Sequence, residues 1–394
     1  MIIRSLLEND VYKWNMSYAI MKTYPFAEAV FKFKDRNNEV FNENFLEDFT
    51  LELHKLAMLR LGANEKAFLI KSFYWIPKWF FDWFETFKFD PSKVRAWLDS
   101  EGHFQCEVEG LDYEVEFYEV PLLAIFTELR EKFTGRFDKL QESDYLERAA
   151  AQIELSNREG LYFSEFGLRR RFCSVVQDKV DELIKKEAKY CLGNSNVYQA
   201  YRLEQKISGT QAHSWIMLNI AFNGYRLGNY HAMENWNKVF GGNNGIYLVD
   251  TIGIDQFLNN LTLLQAKALD GFRWDSGPWE TFTSKIIKRL NELGVDPRTK
   301  KFIYSDSISM MDFSDIHNNV KGRVGFDAAG QGGTWTNNTG IPGKPVSCVL
   351  KLDRARINAH SPWIYCVKYP DTPGKAMGNP DEIELCKKSI GAVA

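Results

Sequence analysis

From about residue 121 onward, helical stretches of 10 to 20 residues alternate with short apolar runs, and each short run ends in polar residues or glycine. Few folds accommodate that rhythm. Helices that recur between fully buried strands build a parallel sheet or an α/β barrel, because the crossover helices cover both faces of the sheet. The runs end at Glu165-Phe166-Gly167, Asn194-Ser195-Asn196, Gln211-Ala212-His213, Asp250-Thr251, Asp275-Ser276-Gly277, Ser305-Asp306 and Asp327 through Gly330. In such folds the carboxyl ends of the strands form one rim, so these scattered residues are expected to converge on a single cavity.

The flanking segments read differently. Val11, Trp14, Tyr18 and Met21 predict an amphipathic helix within residues 6–24, capped by Asn9 or Asp10 and stopping before Pro25. Ala29, Phe31 and Phe33 alternate with Val30, Lys32 and Lys34. Leu111, Tyr113, Val115 and Phe117 alternate with Asp112, Glu114, Glu116 and Tyr118, after a turn at Gly110. Period two predicts half-buried antiparallel strands, so the first 120 residues read as an α+β unit. After Pro345, the apolar run Val346 to Leu352 and a tail rich in Pro and Gly are expected to return over that unit. No internal repeat or low-complexity segment interrupts the pattern.

With 394 residues, 45% hydrophobic and 26% charged, the chain has material for two or three domains, which excludes a small disulfide-stapled module and a disordered chain. A net charge of −3 argues against a general polyanion-binding surface. The six cysteines (106, 173, 191, 348, 366 and 386) form no Cys-x-x-Cys pair and no zinc-spaced cluster with histidine, so reduced thiols in a cytoplasmic protein are expected. The N-terminus lacks the apolar core of a signal peptide. The most apolar stretch, Phe73 to Phe84, is interrupted by Pro77, Lys78 and Asp82, so a buried helix edge or an interface is expected there.

The rim residues suggest chemistry only in combination. Arg169, Arg170 and Arg171, placed at the start of a predicted helix, could hold a phosphate or carboxylate through guanidinium forks and the helix dipole; alone, the triplet reads as a solvated basic face. Phe166, just before them, changes the balance, because an aromatic ring beside an arginine can stack a planar heterocycle that carries an acid group. Asp275-Ser276-Gly277 after Arg273 can hold a ribose diol and let backbone amides approach phosphate, yet it is also an ordinary turn sequence. The segment Ala329 to Asn338 resembles a phosphate cradle, although glycine-rich loops are commonly plain turns. His213 is one of only six histidines. If Asp250 accepts its Nδ1 proton, Nε2 is left as a neutral nucleophile or base.

Taken together, these segments resemble the nicotinate phosphoribosyltransferases, a family of type II phosphoribosyltransferases, and the resemblance runs nearly end to end. It implies an α/β fold: an irregular TIM-like barrel over 121–344, beside an α+β domain from 1–120 on which 345–394 packs back. SLLENDVYKWNM resembles the family's N-terminal segment, where Tyr12 would reach into a partner subunit's site and sandwich the pyridine ring against Phe166. FSEFGLRRRF matches a Phe-Gly-x-Arg-Arg motif that assigns Phe166, Gly167, Arg169 and Arg170 to the nicotinate and sugar-phosphate region. GNSN would line the pyridine pocket through Asn196. GTQAHSW would carry His213 as a transient phosphohistidine, with Asp250 of LVDTIGIDQF orienting it. FRWDSG brings Arg273, Asp275, Ser276 and Gly277 to substrate and ribose. YSDS brings Ser305 and Asp306 towards the phosphate, with Gly330 and Gly332 as a backbone cradle.

The implied reaction moves 5-phosphoribosyl from phosphoribosyl pyrophosphate to nicotinate, with Mg²⁺ and ATP as co-substrate, in a homodimer sharing its active sites, without nucleic acid or membrane. Two departures stand out: Pro278 replaces an Asp that often follows Asp-Ser-Gly, and Ala329 and Gly333 stand where the glycine loop usually carries Phe and Thr. A neutral Asn196 near arginines predicts nicotinate over nicotinamide, since an Asp there would accept from an amide and repel a carboxylate. The competing readings are a nicotinamide-preferring relative and a catalytically silent sensor of phosphosugars or NAD metabolites. Quinolinate phosphoribosyltransferase fits less well, because that family is shorter and lacks a counterpart of the His213 motif.

Overall fold

The computed structural model describes residues 1–305, 307–331, 335–372 and 374–392. Asp306, Gly332, Gly333 and Thr334 lie outside the described residues. Strands β1 (Glu28–Asp35), β2 (Val94–Leu98) and β3 (Phe104–Leu111) begin an antiparallel sheet. Strands β4 (Phe163–Glu165), β5 (Cys191–Asn194), β6 (Ile246–Leu248), β7 (Gly271–Trp274), β8 (Lys301–Tyr304) and β9 (Phe326–Gln331) form a parallel sheet in the order β5-β4-β9-β8-β7-β6. Strands β10 (Cys348–Arg356) and β11 (Ile364–Tyr365) return to the first sheet, giving the order β11-β10-β1-β3-β2.

The α/β class follows from the patterning. Strands β4 and β7 are buried along their whole length, as parallel strands covered on both faces must be. The covering helices each bury one stripe: Val176, Val180 and Ile184 in Ser174–Glu187, and Phe282, Ile286 and Leu290 in Trp279–Glu292. Among the described residues no strand pairing joins β5 to β6, so the parallel sheet is not closed into a full barrel by hydrogen bonds. The aromatic excess goes largely into the antiparallel unit. There Trp14 packs on Phe84 and Phe117 at centroid distances of 4.3 and 5.1 Å, and Phe33 on Phe104 at 5.2 Å. Phe80, Phe81 and Phe84 of the apolar 73–84 stretch are buried, while Tyr74 and Trp79 are exposed. All six cysteines are free, and among the described residues no helix is long and apolar enough to cross a membrane.

Four local expectations are corrected. The first helix runs Val11–Thr23 and is buried all round as far as Ile20, so it is not amphipathic. Its Lys13 is buried between Glu116 and Glu119, the latter at 2.6 Å. Asp10 stands at the N-cap position, but its side chain accepts from Ser195 Oγ (2.6 Å) rather than from the helix, and the Asn9 amide donates to Phe117 O (2.8 Å). The second antiparallel strand is Phe104–Leu111, with Gly110 inside it opposite Ala29, and residues 112–118 are helical. A helix brings Glu116 and Glu119, three residues apart, to one buried ammonium, and that demand overrides the period-two pattern. No strand precedes His213, which begins the helix His213–Asn223. Finally, Asp327 through Gly330 lie within β9 rather than after it.

Candidate active site

A cavity of about 290 Å³ opens where the ends of the parallel strands face the antiparallel unit. Phe166, Arg169, Arg170, His213, Arg273, Asp275 and Ser305 line it, as does Tyr12 of the same chain. Tyr12 was expected to serve a partner subunit. Val11 N, at the start of the first helix, donates to Ser195 O just past β5 at 2.9 Å, and within this single chain Tyr12 and Phe166 line one cavity.

Arg169 and Arg170 lie on a 3₁₀ turn, Leu168–Arg170, with Arg171 just past it, before the helix that starts at Ser174, so the triplet is not a helix N-terminus. The turn splits it. Arg169 lies over the Tyr12 ring (5.8 Å), and Arg170 donates its Nε proton to Cys348 O (3.2 Å). Arg171 points away and is fully buried, paired with Glu8 at 3.0 Å. Gly167 is required because a Cβ there would collide with Thr336 Oγ1 and with Glu165 Oε1, which accepts the Gly167 N–H at 2.6 Å. Gly330 lies inside β9. Its missing Cβ makes room for the Phe166 ring, whose Cε2 would stand 2.6 Å from that carbon.

At the opposite end, the His213 ring is buried, with Nδ1 3.0 Å from Thr251 Oγ1 and Nε2 2.8 Å from Lys368 Nζ and 3.2 Å from Asp275 Oδ2. Thr251 therefore occupies the place expected for Asp250, whose Oδ1 is 3.9 Å from Nε2 instead. An ammonium can only donate, so Nε2 accepts from Lys368 and Nδ1 carries the proton towards Thr251. Burial, then the neighbouring Lys368 charge, pull the imidazole down to about 4, and the ring is neutral at pH 7. Arg273 holds the strand ends together: its guanidinium donates to Thr210 Oγ1 (2.6 Å), Ser305 Oγ (3.0 Å) and Asp275 Oδ1 (3.2 Å). Although burial opposes it, Arg273 with His213 and Lys368 holds the Asp275 carboxyl well below the usual range. Ser276 donates to Asp250 Oδ2 rather than facing the cavity, and Gly277 adopts φ 74°, with its N–H on Thr372 Oγ1 at 2.9 Å.

Asn196 is not in the cavity wall. It caps the short helix Val197–Arg202 and donates to Gln177 Oε1 at 3.1 Å, fully buried. Its neighbour Ser195 lines the cavity, beside Asp10. Sequence reasoning also missed Arg36, Ser347, Lys351 and Lys368, which form the wall supplied by the antiparallel unit and the tail. Burial pulls the Lys351 ammonium down to about 7, with Glu119 opposing. A lysine inside the apolar run Val346 to Leu352 was a usable signal for Lys351; nothing local marked Lys368. Among the described residues, four arginines and three lysines line the cavity against two carboxylates, Asp10 and Asp275.

A cation-lined cavity at the strand ends of a parallel sheet, with two aromatic rings at one end and a neutral histidine at the other, defines an enzyme that handles a planar ring together with phosphate. The chain belongs to the nicotinate phosphoribosyltransferase (NAPRTase) family: residues 161–389 match that family and residues 7–127 match its N-terminal domain. A nicotinate phosphoribosyltransferase of Chromohalobacter salexigens is 34% identical over 99% of this chain and 98% of its own length. Among solved structures, the nicotinate phosphoribosyltransferase of Porphyromonas gingivalis superposes with a TM-score of 0.97 at 36% identity, covering 99% of this chain and 100% of that one. That of Vibrio cholerae superposes at 0.91 and 30% identity, over 99% and 94%.

Proposed function

We propose that this chain transfers 5-phosphoribosyl from phosphoribosyl pyrophosphate to the ring nitrogen of nicotinate, giving nicotinate mononucleotide and pyrophosphate for NAD biosynthesis in the cytoplasm. ATP hydrolysis through a phosphohistidine at His213 drives it. The observation that carries this reading is the single cavity that gathers Tyr12, Phe166, Arg169 and the neutral His213 among seven cationic side chains. The same reading divides the chain near residues 120 and 345, with the barrel-like middle part carrying the chemistry.

Breaking the C1 bond to pyrophosphate develops oxocarbenium-like charge, so the leaving group must be neutralised and the ring nitrogen held close to C1. Arg170, Arg273, Lys351 and Lys368 do the first. Phe166 and Tyr12 do the second by stacking, with Arg169 on the ring carboxylate. The pyridine nitrogen needs no base, which leaves His213 for energy coupling: its Nε2 lone pair, positioned by Thr251 on Nδ1, takes the terminal phosphoryl of ATP while Lys368 offsets the incoming charge. Asp250 Oδ1 is buried without a hydrogen-bond partner, and one oxygen each of Asp250 and Asp275 lies within 4.8 Å of the other and of a His213 nitrogen. Two such carboxylates suit a hard cation; they would hold Mg²⁺, which when bound supplies positive charge to the pyrophosphate. Substrate choice is assigned to Ser195 rather than Asn196, because a hydroxyl at that wall adds no second carboxylate beside Asp10 to repel nicotinate.

The test incubates the protein with nicotinate, phosphoribosyl pyrophosphate, Mg²⁺ and ATP, following mononucleotide and ADP together, with nicotinamide in parallel. Mononucleotide from nicotinate alone, with stoichiometric ADP, is expected. Binding without turnover of either pyridine would overturn the assignment and favour a sensor.

A further inference from the structure

A second cavity, about 550 Å³, adjoins the first and shares two residues with it, Arg170 and Ser307. Residues between 337 and 346 line it, and two of their glycines lie against guanidiniums. A Cβ at Gly340 would stand 2.9 Å from Arg148 Nε, and one at Gly343 would stand 2.6 Å from Arg136 Nη1, so both glycines allow the loop to lie against arginine heads. Both also adopt φ between 78° and 111°, where a side chain would be strained. Arg136 is spoken for, paired with Glu131 at 2.6 Å. Arg148 and Arg170 form no ion pair among the described residues; Arg148 meets only the Asn338 amide oxygen, at 3.5 Å. Among the described residues the one carboxylate on the lining, Asp312, is engaged in capping its own helix, accepting from Ser309 N at 2.8 Å.

Two guanidiniums without an ion-pair partner among the described residues, facing one concavity, select phosphate oxygens. The neighbouring cavity, at about 290 Å³, is at the lower limit for one ligand of ordinary size, yet the proposed reaction brings three ligands to it. We propose that the second cavity is the subsite for the phosphate chain of the triphosphate co-substrate, with Arg148 and Arg170 on its oxygens and the terminal phosphoryl directed past Arg170 towards His213. This rests on the ATP coupling proposed above.

Arg148 is exposed and takes no part in the core, so Arg148→Ala should fold normally. Its expected signature is a rise of about tenfold or more in the KM for ATP, as loss of one charge-assisted contact would give. The KM for nicotinate and for phosphoribosyl pyrophosphate, and the slow transfer without ATP, should be unchanged. Arg148→Lys should recover part of the loss. Direct titration of the wild-type protein and Arg148→Ala with Mg²⁺ and a non-hydrolysable ATP analogue reads binding without turnover. An unchanged analogue affinity would overturn the proposal. So would a rise confined to phosphoribosyl pyrophosphate, which would give the subsite to that substrate. No analogue binding to the wild type would overturn it together with the ATP coupling, while transfer without ATP would keep the transferase reading intact.

Discussion

The two walls of the active-site cavity are built in opposite ways. On the strand-end rim, polar groups satisfy each other: Arg273 bridges Thr210, Ser305 and Asp275, and Ser276 bonds Asp250. The wall from the antiparallel unit and the tail carries Arg36, Lys351 and Lys368. Of these, Lys351 has Glu119 at 3.7 Å, and Lys368 donates to His213 Nε2 at 2.8 Å with the Asp250 and Asp275 carboxylates close by. A satisfied network in low dielectric fixes geometry, whereas buried cations that outnumber the carboxylates facing them cost stability until an anion arrives. The rim therefore sets positions, and the facing wall supplies the attraction for phosphate.

The largest expected effect breaks the rim at its nucleophile. His213→Ala should abolish ATP hydrolysis and the phosphoenzyme while leaving slow, uncoupled transfer; ATP turnover unchanged in that variant would sink the role given to the ring.

Next comes the facing wall at its closest approach to the rim. Lys368→Met removes the ammonium 2.8 Å from His213 Nε2, so the ring should titrate above its present value of about 4. The sign for stability follows. Between the unfolded value of about 6.5 and the folded value of about 4, the unfolded chain binds a proton that the folded one does not. Stability contributed by the neutral ring is thus intact above about 6.5 and falls with pH through that window, by roughly 3 kcal/mol at about 1.4 kcal/mol per unit. Denaturant melts between pH 4 and 7 should show that loss in the wild type and a smaller one in Lys368→Met. Parallel curves would mean that burial alone sets the ring.

A smaller effect separates ring placement from charge. Gly330→Ala pushes on the Phe166 ring at 2.6 Å and on Ser305 Cβ at 2.9 Å, and meets no cation directly. The KM for nicotinate should rise about three- to tenfold, the scale of an aromatic contact, while the KM for phosphoribosyl pyrophosphate stays constant.

The two walls also differ in how far they could be read from sequence. The rim was legible because each βα unit repeats one local pattern: Phe166, Asp250, Asp275 and Ser305 all stand just past short apolar runs that are strands. Lys368 was not, because it reaches His213 through a tail whose path is set by tertiary contacts such as Tyr369 N on Thr251 O, and no local periodicity encodes those. Residues 112–118 misled for a related reason: their alternation is real, but the buried ammonium of Lys13, about 100 positions away, decides the conformation. His213 was found by its motif and misplaced in the fold, as a helix start rather than a strand end.

The finest discrimination lies between adjacent residues of one strand end. Asn196 is committed to a helix cap and to Gln177, whereas Ser195 faces the cavity and donates to Asp10. Asn196→Asp should leave the preference for nicotinate over nicotinamide unaltered, since its carboxylate would stay buried behind the wall. Ser195→Asp should weaken nicotinate by placing a second carboxylate beside Asp10 and Arg169, and so lower the ratio of the two activities. Parallel assays of both pyridines decide it. If Asn196→Asp shifted the ratio and Ser195→Asp did not, the rim would be reporting on substrate through its buried side, and the division between a positioning rim and an attracting wall would have to be redrawn there.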